Sequence, residues 1–184
     1  MIRFKGKNLA KGLESALFIC PSCKKIGELK SDTDRFFCSC GMNTVYNEYG
    51  FFKDGRPFNN YTDWYDWQSD ELKKRVEDTY TRFSVSDGFL QIKKIENSHK
   101  REVLPYSNIK MNPKQFIMYN EKGEKLVIDN NNITGISIYS RNNLLVNTKQ
   151  DYYELKPDKK HNCNFNARKY LHLYEIVKKE HRKE

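Results

Sequence analysis

The sequence predicts a mainly β protein with some α-helix, and three observations favour that class. Two closely spaced cysteine pairs lie near the start, short β-forming runs separated by turn residues fill the second half, and a helical apolar stripe ends the chain. A chain of 184 residues is long for one average domain and short for two large ones. We therefore expect a small cysteine-containing module followed by a domain of about a hundred residues.

Composition indicates a folded protein. Hydrophobic residues make up 38% of the chain and aromatic residues 14%, which is enough for a core despite a mean hydropathy of -0.88. No apolar run approaches the roughly twenty residues of a membrane-spanning helix, and residues 1–5 lack the apolar stretch of a secretory signal. We expect a cytoplasmic protein.

The two cysteine pairs predict a metal site. Cys20 and Cys23 form the first pair, Cys38 and Cys40 form the second, and an apolar run precedes each. Four thiolates at this spacing can surround one ion as a tetrahedron, as in a zinc ribbon, and a reducing cytoplasm disfavours disulfides. We expect all four cysteines to bind one zinc ion, with two reduced, inert pairs as the alternative.

This zinc would be structural, because four thiolates leave no open coordination position. The second pair is spaced Cys-x-Cys where most ribbons have Cys-x-x-Cys, so we expect Gly41 to permit a tight turn after it. Cys163 lies outside the pairs, and its neighbour His161 does not by itself make it a nucleophile. All four histidines have charged surroundings and are expected at the surface: His99, His161, His172 and His181.

A connecting helix is predicted after the cysteine module. The residues that recur at helical spacing are Trp64, Trp67 or Gln68, Leu72 and Val76, and Thr62 or Ser69 can cap the helix. We expect the two tryptophans to pack the ribbon onto the next domain rather than to bind a ligand.

Short strands follow from residue 81. Turn residues such as Asp87 and Gly88 predict consecutive antiparallel hairpins, and the last apolar stripe predicts a helix over residues 164–179. The candidate strands are residues 82–86, 89–93, 102–104, 115–119, 125–128, 133–139, 143–147 and 151–155.

About seven strands followed by one helix is the order of a pleckstrin-homology-like antiparallel barrel with a C-terminal helix, although a half-open sheet packed on one helix would give the same pattern. The predicted organisation is a lead-in and zinc ribbon over residues 1–58, a connecting helix over 59–80, and the barrel with its helix over 81–184.

The net charge of +9 raises the question of anionic partners. The lysines are spread along the chain, which is typical of a solvated surface. An alternative function is a nucleic-acid-binding zinc ribbon. Its stacking residues would be Tyr46, Tyr49, Phe51 and Phe52. Against it, acidic residues offset the basic residues of the ribbon.

Three segments, residues 4–23, 36–41 and 46–52, resemble the C-terminal extension of clostridial lysophospholipid acyltransferases of the 1-acylglycerol-3-phosphate acyltransferase family. The resemblance covers about the first third of the chain, and the later strands match bacterial pleckstrin-homology-like domains only by pattern. It implies a bacterial protein connected with phospholipid biosynthesis.

The catalytic signature of that family is a His followed by an Asp after a gap of four residues. The residues five positions after His99, His161 and His172 are Leu104, Asn166 and Val177, and His181 is too near the end to have such a partner. No phosphate-binding glycine loop or nucleophile elbow occurs either. We therefore expect no enzyme activity in this chain.

The predicted function is a noncatalytic accessory module for regulation, docking or membrane targeting. Its expected partners are an acyltransferase domain or another protein and an anionic membrane surface, with a location in the cytoplasm or at the inner membrane face.

Overall fold

The computed structural model describes residues 3–79, 82–96, 100–140, 142–158, 160 and 165–180. Twelve strands and two α-helices lie within these residues. This confirms the predicted mainly β class with a C-terminal helix. The chain divides into two units, Met1–Leu72 (the first unit) and Lys73–Glu184 (the second unit).

The first unit contains a small antiparallel sheet. Its strands are β1 (Leu29–Asp32), β2 (Arg35–Cys38) and β3 (Asn43–Val45), in the order β1-β2-β3. Burial alternates along β2, where Phe36 and Cys38 are buried and Arg35 is exposed. One face of the sheet therefore covers a core that includes a cysteine.

The residues before this sheet are part of the same unit. Leu9 N donates to Asp34 Oδ1 at 2.6 Å, and Ala10 N donates to Thr33 O at 3.2 Å. Ala10 is fully buried, as are Leu17 and Phe18 further along the chain. The lead-in is therefore held against the turn between β1 and β2.

A long helix, α1 (Tyr61–Asp78), begins in the first unit and ends in the second. Asn60 caps it, because Asn60 Oδ1 accepts from Asp63 N at 3.0 Å. The caps predicted from the sequence are wrong: Thr62 and Ser69 lie inside the helix, and Ser69 Oγ donates to Tyr65 O.

Aromatic rings form the core between α1 and the small sheet. The fully buried Trp64 has its ring centroid 5.1 Å from Phe36, 5.2 Å from Phe52 and 5.6 Å from Phe58. Edge and tilted contacts of this kind stabilise a core beyond the area that they bury. The start of α1 is therefore an integral part of the ribbon.

The second unit contains two open antiparallel sheets. The four-stranded sheet has the order β4-β7-β8-β9, and the five-stranded sheet has the order β10-β11-β12-β5-β6. The strands are β4 (Val85–Asp87), β5 (Leu90–Ile95), β6 (Arg101–Val103), β7 (Asn108–Met111), β8 (Gln115–Tyr119), β9 (Lys125–Asp129), β10 (Ile133–Tyr139), β11 (Asn143–Thr148) and β12 (Tyr152–Pro157). The sequence predicted a pleckstrin-homology-like antiparallel barrel; the two sheets do not form a closed barrel among the described residues and are consistent with a β-sandwich.

Among the described strands, three connections pass from one sheet to the other, namely β4 to β5, β6 to β7 and β9 to β10. β4 pairs with β7, whereas β5 pairs with β12 and β6, so the predicted hairpin at Asp87 and Gly88 is wrong. A Cβ atom on Gly88 would lie 2.5 Å from Asn108 Oδ1, so this glycine permits a close approach. Counting β4 with β5 and β6 with β7 as single bent strands gives the predicted seven.

The last helix, α2 (Ala167–Glu180), confirms the predicted apolar stripe, since Tyr170, Leu173, Tyr174 and Val177 are buried. Asn166 caps the helix through its side chain, which accepts from the amides of the first turn. The Tyr170 ring lies 6.1 Å from Phe116 in β8, and Tyr174 Oη donates to Ile133 O in β10 at 3.1 Å. α2 therefore contacts both sheets.

A buried ion pair also joins α2 to β4. Lys169 Nζ lies 2.8 Å from Asp87 Oδ2 and donates to Ser86 O at 3.0 Å, and both charged side chains are nearly buried. Burial raises the pKa of Asp87, and the Lys169 charge opposes that rise.

Neither of the two helices is long and apolar enough to cross a lipid bilayer within the part of the chain that the structure describes.

Candidate metal centre

Tight turns present the four cysteines. In the first turn, Lys24 N donates to Cys20 O at 2.9 Å, Cys20 N donates to Lys25 O at 3.0 Å, and Lys24 has a φ of 61°. This turn places Cys20 and Cys23 side by side.

The second turn follows β2. Cys38 N donates to Met42 O at 2.9 Å, and Gly41 N donates to Cys38 O at 3.1 Å. Gly41 has a φ of 97°, in the left-handed region that residues with a Cβ atom rarely adopt. The role expected for this glycine is confirmed, and the turn brings Cys40 back beside Cys38.

The four sulfur atoms converge, and all lie within 4.8 Å of one another. Cys20 Sγ is 3.6 Å from Cys40 Sγ, and Cys23 Sγ is 3.7 Å from Cys38 Sγ. A tetrahedral site with metal–sulfur bonds of about 2.3 Å requires sulfur–sulfur edges of about 3.8 Å. A disulfide requires about 2.05 Å. The four cysteines are free thiols at distances that suit a metal ion.

The electrostatics of the thiols differ across the cluster. Burial raises the pKa of Cys20 to about 12 and also raises the pKa of Cys38. Cys40 is exposed, and its hydrogen bond with the Met42 backbone lowers its pKa to about 7. A bound cation would supply the positive charge that the buried thiolates lack, because coordination deprotonates a thiol.

Helix α1 supports the segment that leads into Cys20. Gln68 is fully buried; its Oε1 accepts from Phe18 N at 2.9 Å, and its Nε2 donates to Ala16 O at 2.8 Å. One turn earlier on α1, Trp64 Nε1 donates to Ile19 O at 3.1 Å. These bonds hold the backbone immediately before the first cysteine.

Sequence reasoning missed this role of Gln68. The available signal was a polar residue at an apolar position of the helical stripe, one turn after Trp64 and one turn before Leu72. A second contact from α1 reaches the first cysteine turn, where Lys24 Nζ lies 4.2 Å above the Trp67 ring and 3.8 Å from a Glu71 carboxylate oxygen.

The aromatic residues proposed to stack nucleic-acid bases are mostly inside the first unit. Phe52 is 2% exposed, and its ring lies 5.0 Å from that of Tyr46, which is half-buried. Phe51 is also half-buried, and Tyr49 is 40% exposed. The structure leaves one of these four rings broadly accessible.

The expectation of a surface position for His172 is wrong. This histidine is 6% exposed within α2, and burial together with the Arg168 charge lowers its pKa to about 4. His99, His161, His181 and Cys163 lie outside the described residues.

No model of a known protein family matches this chain, and no curated protein sequence matches it. Among solved structures, the chain is similar to the solution structure of the N-terminal PH domain of the human protein ARAP2. The match has a TM-score of 0.35 and 13% sequence identity, and it covers 53% of this chain and 81% of that one.

Proposed function

We propose that this chain is a noncatalytic accessory module, in which one zinc ion stabilises the first unit and the second unit serves docking. The convergence of four thiols carries the proposal, because the sulfur–sulfur separations of 3.6 and 3.7 Å are close to the edges of a zinc–thiolate tetrahedron. Cys20, Cys23, Cys38 and Cys40 would be the ligands.

The chemistry of the donors favours a structural ion. Tetrahedral four-sulfur sites take zinc or iron, and zinc is the redox-inert choice for a site that holds a fold together. Four protein ligands leave no coordination position for water or a substrate. The buried Cys20 and Cys38 attach the ion to the core of the first unit.

Metal analysis of the full chain, purified under reducing conditions, tests the site. We expect about one zinc per chain, loss of zinc in Cys20→Ser, and retention of zinc in the control Cys163→Ser. A metal-free wild-type protein, or a stoichiometric iron content with visible absorption, would overturn the zinc assignment.

The proposed host of the module is a bacterial lipid acyltransferase. This part rests on the resemblance of residues 4–23, 36–41 and 46–52 to the extension of such enzymes. Sequencing the DNA upstream of the Met1 codon tests it. An in-frame or adjacent acyltransferase gene supports the assignment, whereas unrelated genes on that side remove it.

Weak association with an anionic membrane surface is the second part of the docking role. Exposed basic side chains of the second unit include Lys74, Lys100, Arg101 and Lys179. Each basic residue near such a surface contributes up to about 1 kcal/mol. Sedimentation with phosphatidylcholine vesicles, with and without phosphatidylserine, should show binding only to the anionic vesicles. Equal binding to both would rule out this part.

The nucleic-acid alternative loses support because Phe52 is buried and Tyr46 is half-buried. Gel-shift assays with single-stranded and duplex DNA at low salt test whether the chain binds nucleic acid. We expect no shift, and a strong, salt-sensitive shift would favour the alternative over membrane docking.

A further inference from the structure

The edge of the four-stranded sheet at β9 is open. The strand order ends at β9, so its second side pairs with no strand among the described residues. A groove of about 270 Å³ lies beside it and is lined by Leu126, Val127 and Ile128, together with the turn between β11 and β12. Open space, rather than a described strand, therefore lies beside this part of the edge.

Hydrogen bonds at the two ends of β9 define which residues face β8. Asn130 N donates to Lys114 O at 2.8 Å, and Asn120 N donates to Glu124 O at 3.1 Å. Residues that bond to the neighbouring strand alternate along an antiparallel pair. Leu126 therefore bonds to β8, as does Ile128.

The remaining residues of β9 face outward. The backbone N–H and C=O groups of Lys125, Val127 and Asp129 point towards the open edge, and their side chains are exposed on one face of the sheet. Val127 is 40% exposed. The edge thus offers hydrogen-bonding groups beside a cation, an exposed valine and a carboxylate, in that order.

We propose that a second copy of this chain binds here, with the two β9 strands antiparallel about a two-fold axis at Val127. In that register Lys125 lies opposite Asp129 of the partner subunit, and Val127 lies opposite its own counterpart. All three facing pairs are hydrogen-bonded pairs, with two bonds each and about six in all. The two four-stranded sheets become one continuous sheet.

Charge complementarity favours this arrangement over other pairings. Parallel, in-register strands would place Lys125 opposite a second lysine, and a shift by two residues would place it opposite valine. On the inner face, the antiparallel register sets Leu126 opposite Ile128 of the partner subunit, so apolar residues meet there. The interface is isologous, as a closed dimer requires.

The other sheet edges fit a partner less well. On β10, the backbone oxygens of Ile133 and Thr134 already accept from Tyr174 Oη and Lys178 Nζ of α2. β4 and β6 each have three residues. Among the described edge strands that α2 does not contact, β9, with five residues, is the longest.

Sedimentation of the full chain over a wide concentration range tests the dimer. We expect a reversible, concentration-dependent dimer, because a single strand pair makes a small interface. Lys125→Asp should weaken dimerisation by at least about tenfold, since symmetry places the like charges opposite each other twice. The matched control is Lys110→Asp, which reverses the charge of an exposed side chain on β7 in the same sheet. This variant should dimerise as the wild type does.

The double exchange Lys125→Asp with Asp129→Lys restores opposite charges and should restore the dimer. Because Asp129 Oδ1 also accepts from Asn131 N at 2.8 Å, thermal unfolding must first show that this variant is folded. If it does not fold, Val127→Asp decides in its place: a monomer supports the proposal, and a dimer overturns it.

Four other results would overturn the proposal. The first two are a wild-type protein that stays monomeric at every concentration and a Lys125→Asp variant that dimerises as tightly as the wild type. The other two are a Lys110→Asp variant that loses as much dimer affinity as Lys125→Asp, and a folded double variant that remains monomeric.

Discussion

The two units of this chain bury their apolar residues by different means. The first unit has a sheet of three short strands, and its core combines aromatic rings with the buried thiols of Cys20 and Cys38. In the described residues of the second unit there are nine strands in two sheets, with a helix that contacts both. A small core supplies little net stability, so small domains often depend on a metal. We therefore expect the first unit to depend on its metal and the second to fold without it.

Loss of the proposed metal should produce the largest difference in folding stability between the two units. Apparent zinc-binding free energies of structural sites are about 10–16 kcal/mol, so Cys20→Ser or Cys38→Ser should unfold the first unit and leave the second folded. Both tryptophans, Trp64 and Trp67, lie in the first unit, so their emission should shift to the red. Amide exchange in β8 and β12 should stay slow. Fast exchange there would show that the second unit also depends on the metal.

Breaking the ion pair between α2 and β4 should instead destabilise the second unit and leave the first unit unchanged. Lys169→Met leaves the Asp87 carboxylate buried without its cation, which typically costs about 3–5 kcal/mol. We expect a lower unfolding midpoint for the second unit and an unchanged zinc content. The double variant with Asp87→Leu should recover part of the loss. A single variant as stable as the wild type would contradict the role of the pair.

A pH effect specific to the second unit should follow from His172. Its pKa in the folded state, about 4, lies below the ordinary histidine value of 6.5, so the unfolded chain binds more protons between these values. Stability should therefore fall as pH drops from about 6.5 to 4, by up to about 3 kcal/mol. Denaturant unfolding of wild type and His172→Leu across this range measures it. If the stability of wild type and of His172→Leu changes with pH in the same way, His172 is not the cause of the pH effect.

The smallest expected effect is that of Gln68→Leu in the first unit. The variant leaves Phe18 N and Ala16 O without their side-chain partner, and unsatisfied buried groups cost about 1–3 kcal/mol. The first unit should unfold at lower denaturant, as tryptophan emission reports, with no change in the second. Ser69→Ala, one residue away on α1, is the control.

The candidate site was predictable because its evidence is local. The cysteine spacing predicted the quartet that the structure brings together, and Gly41 adopts the left-handed conformation that a tight turn requires. The apolar stripe of α2 was equally visible, since helical periodicity depends on neighbours in the sequence. Among the described strands of the second unit, β7 was missed because its four residues lie among prolines and asparagines.

Other predictions failed where the outcome depends on distant residues. Asp87 and Gly88 carry the signal of a hairpin turn, yet β4 and β5 pair with different strands. His172 lies among charged residues in the sequence, but the helix turns it inward. Nothing local to Gln68 indicates that residues 16–19, some fifty positions earlier, supply its partners.

The sequence by itself determined the four cysteines of the candidate metal site, the mainly β class and the final helix, because spacing and periodicity act over a few residues. The tertiary structure alone decided which sulfur atoms approach each other, how the strands divide into two open sheets, and which edge stays uncovered. Those features depend on pairing between segments far apart in the chain, where the competing arrangements satisfy the same local preferences.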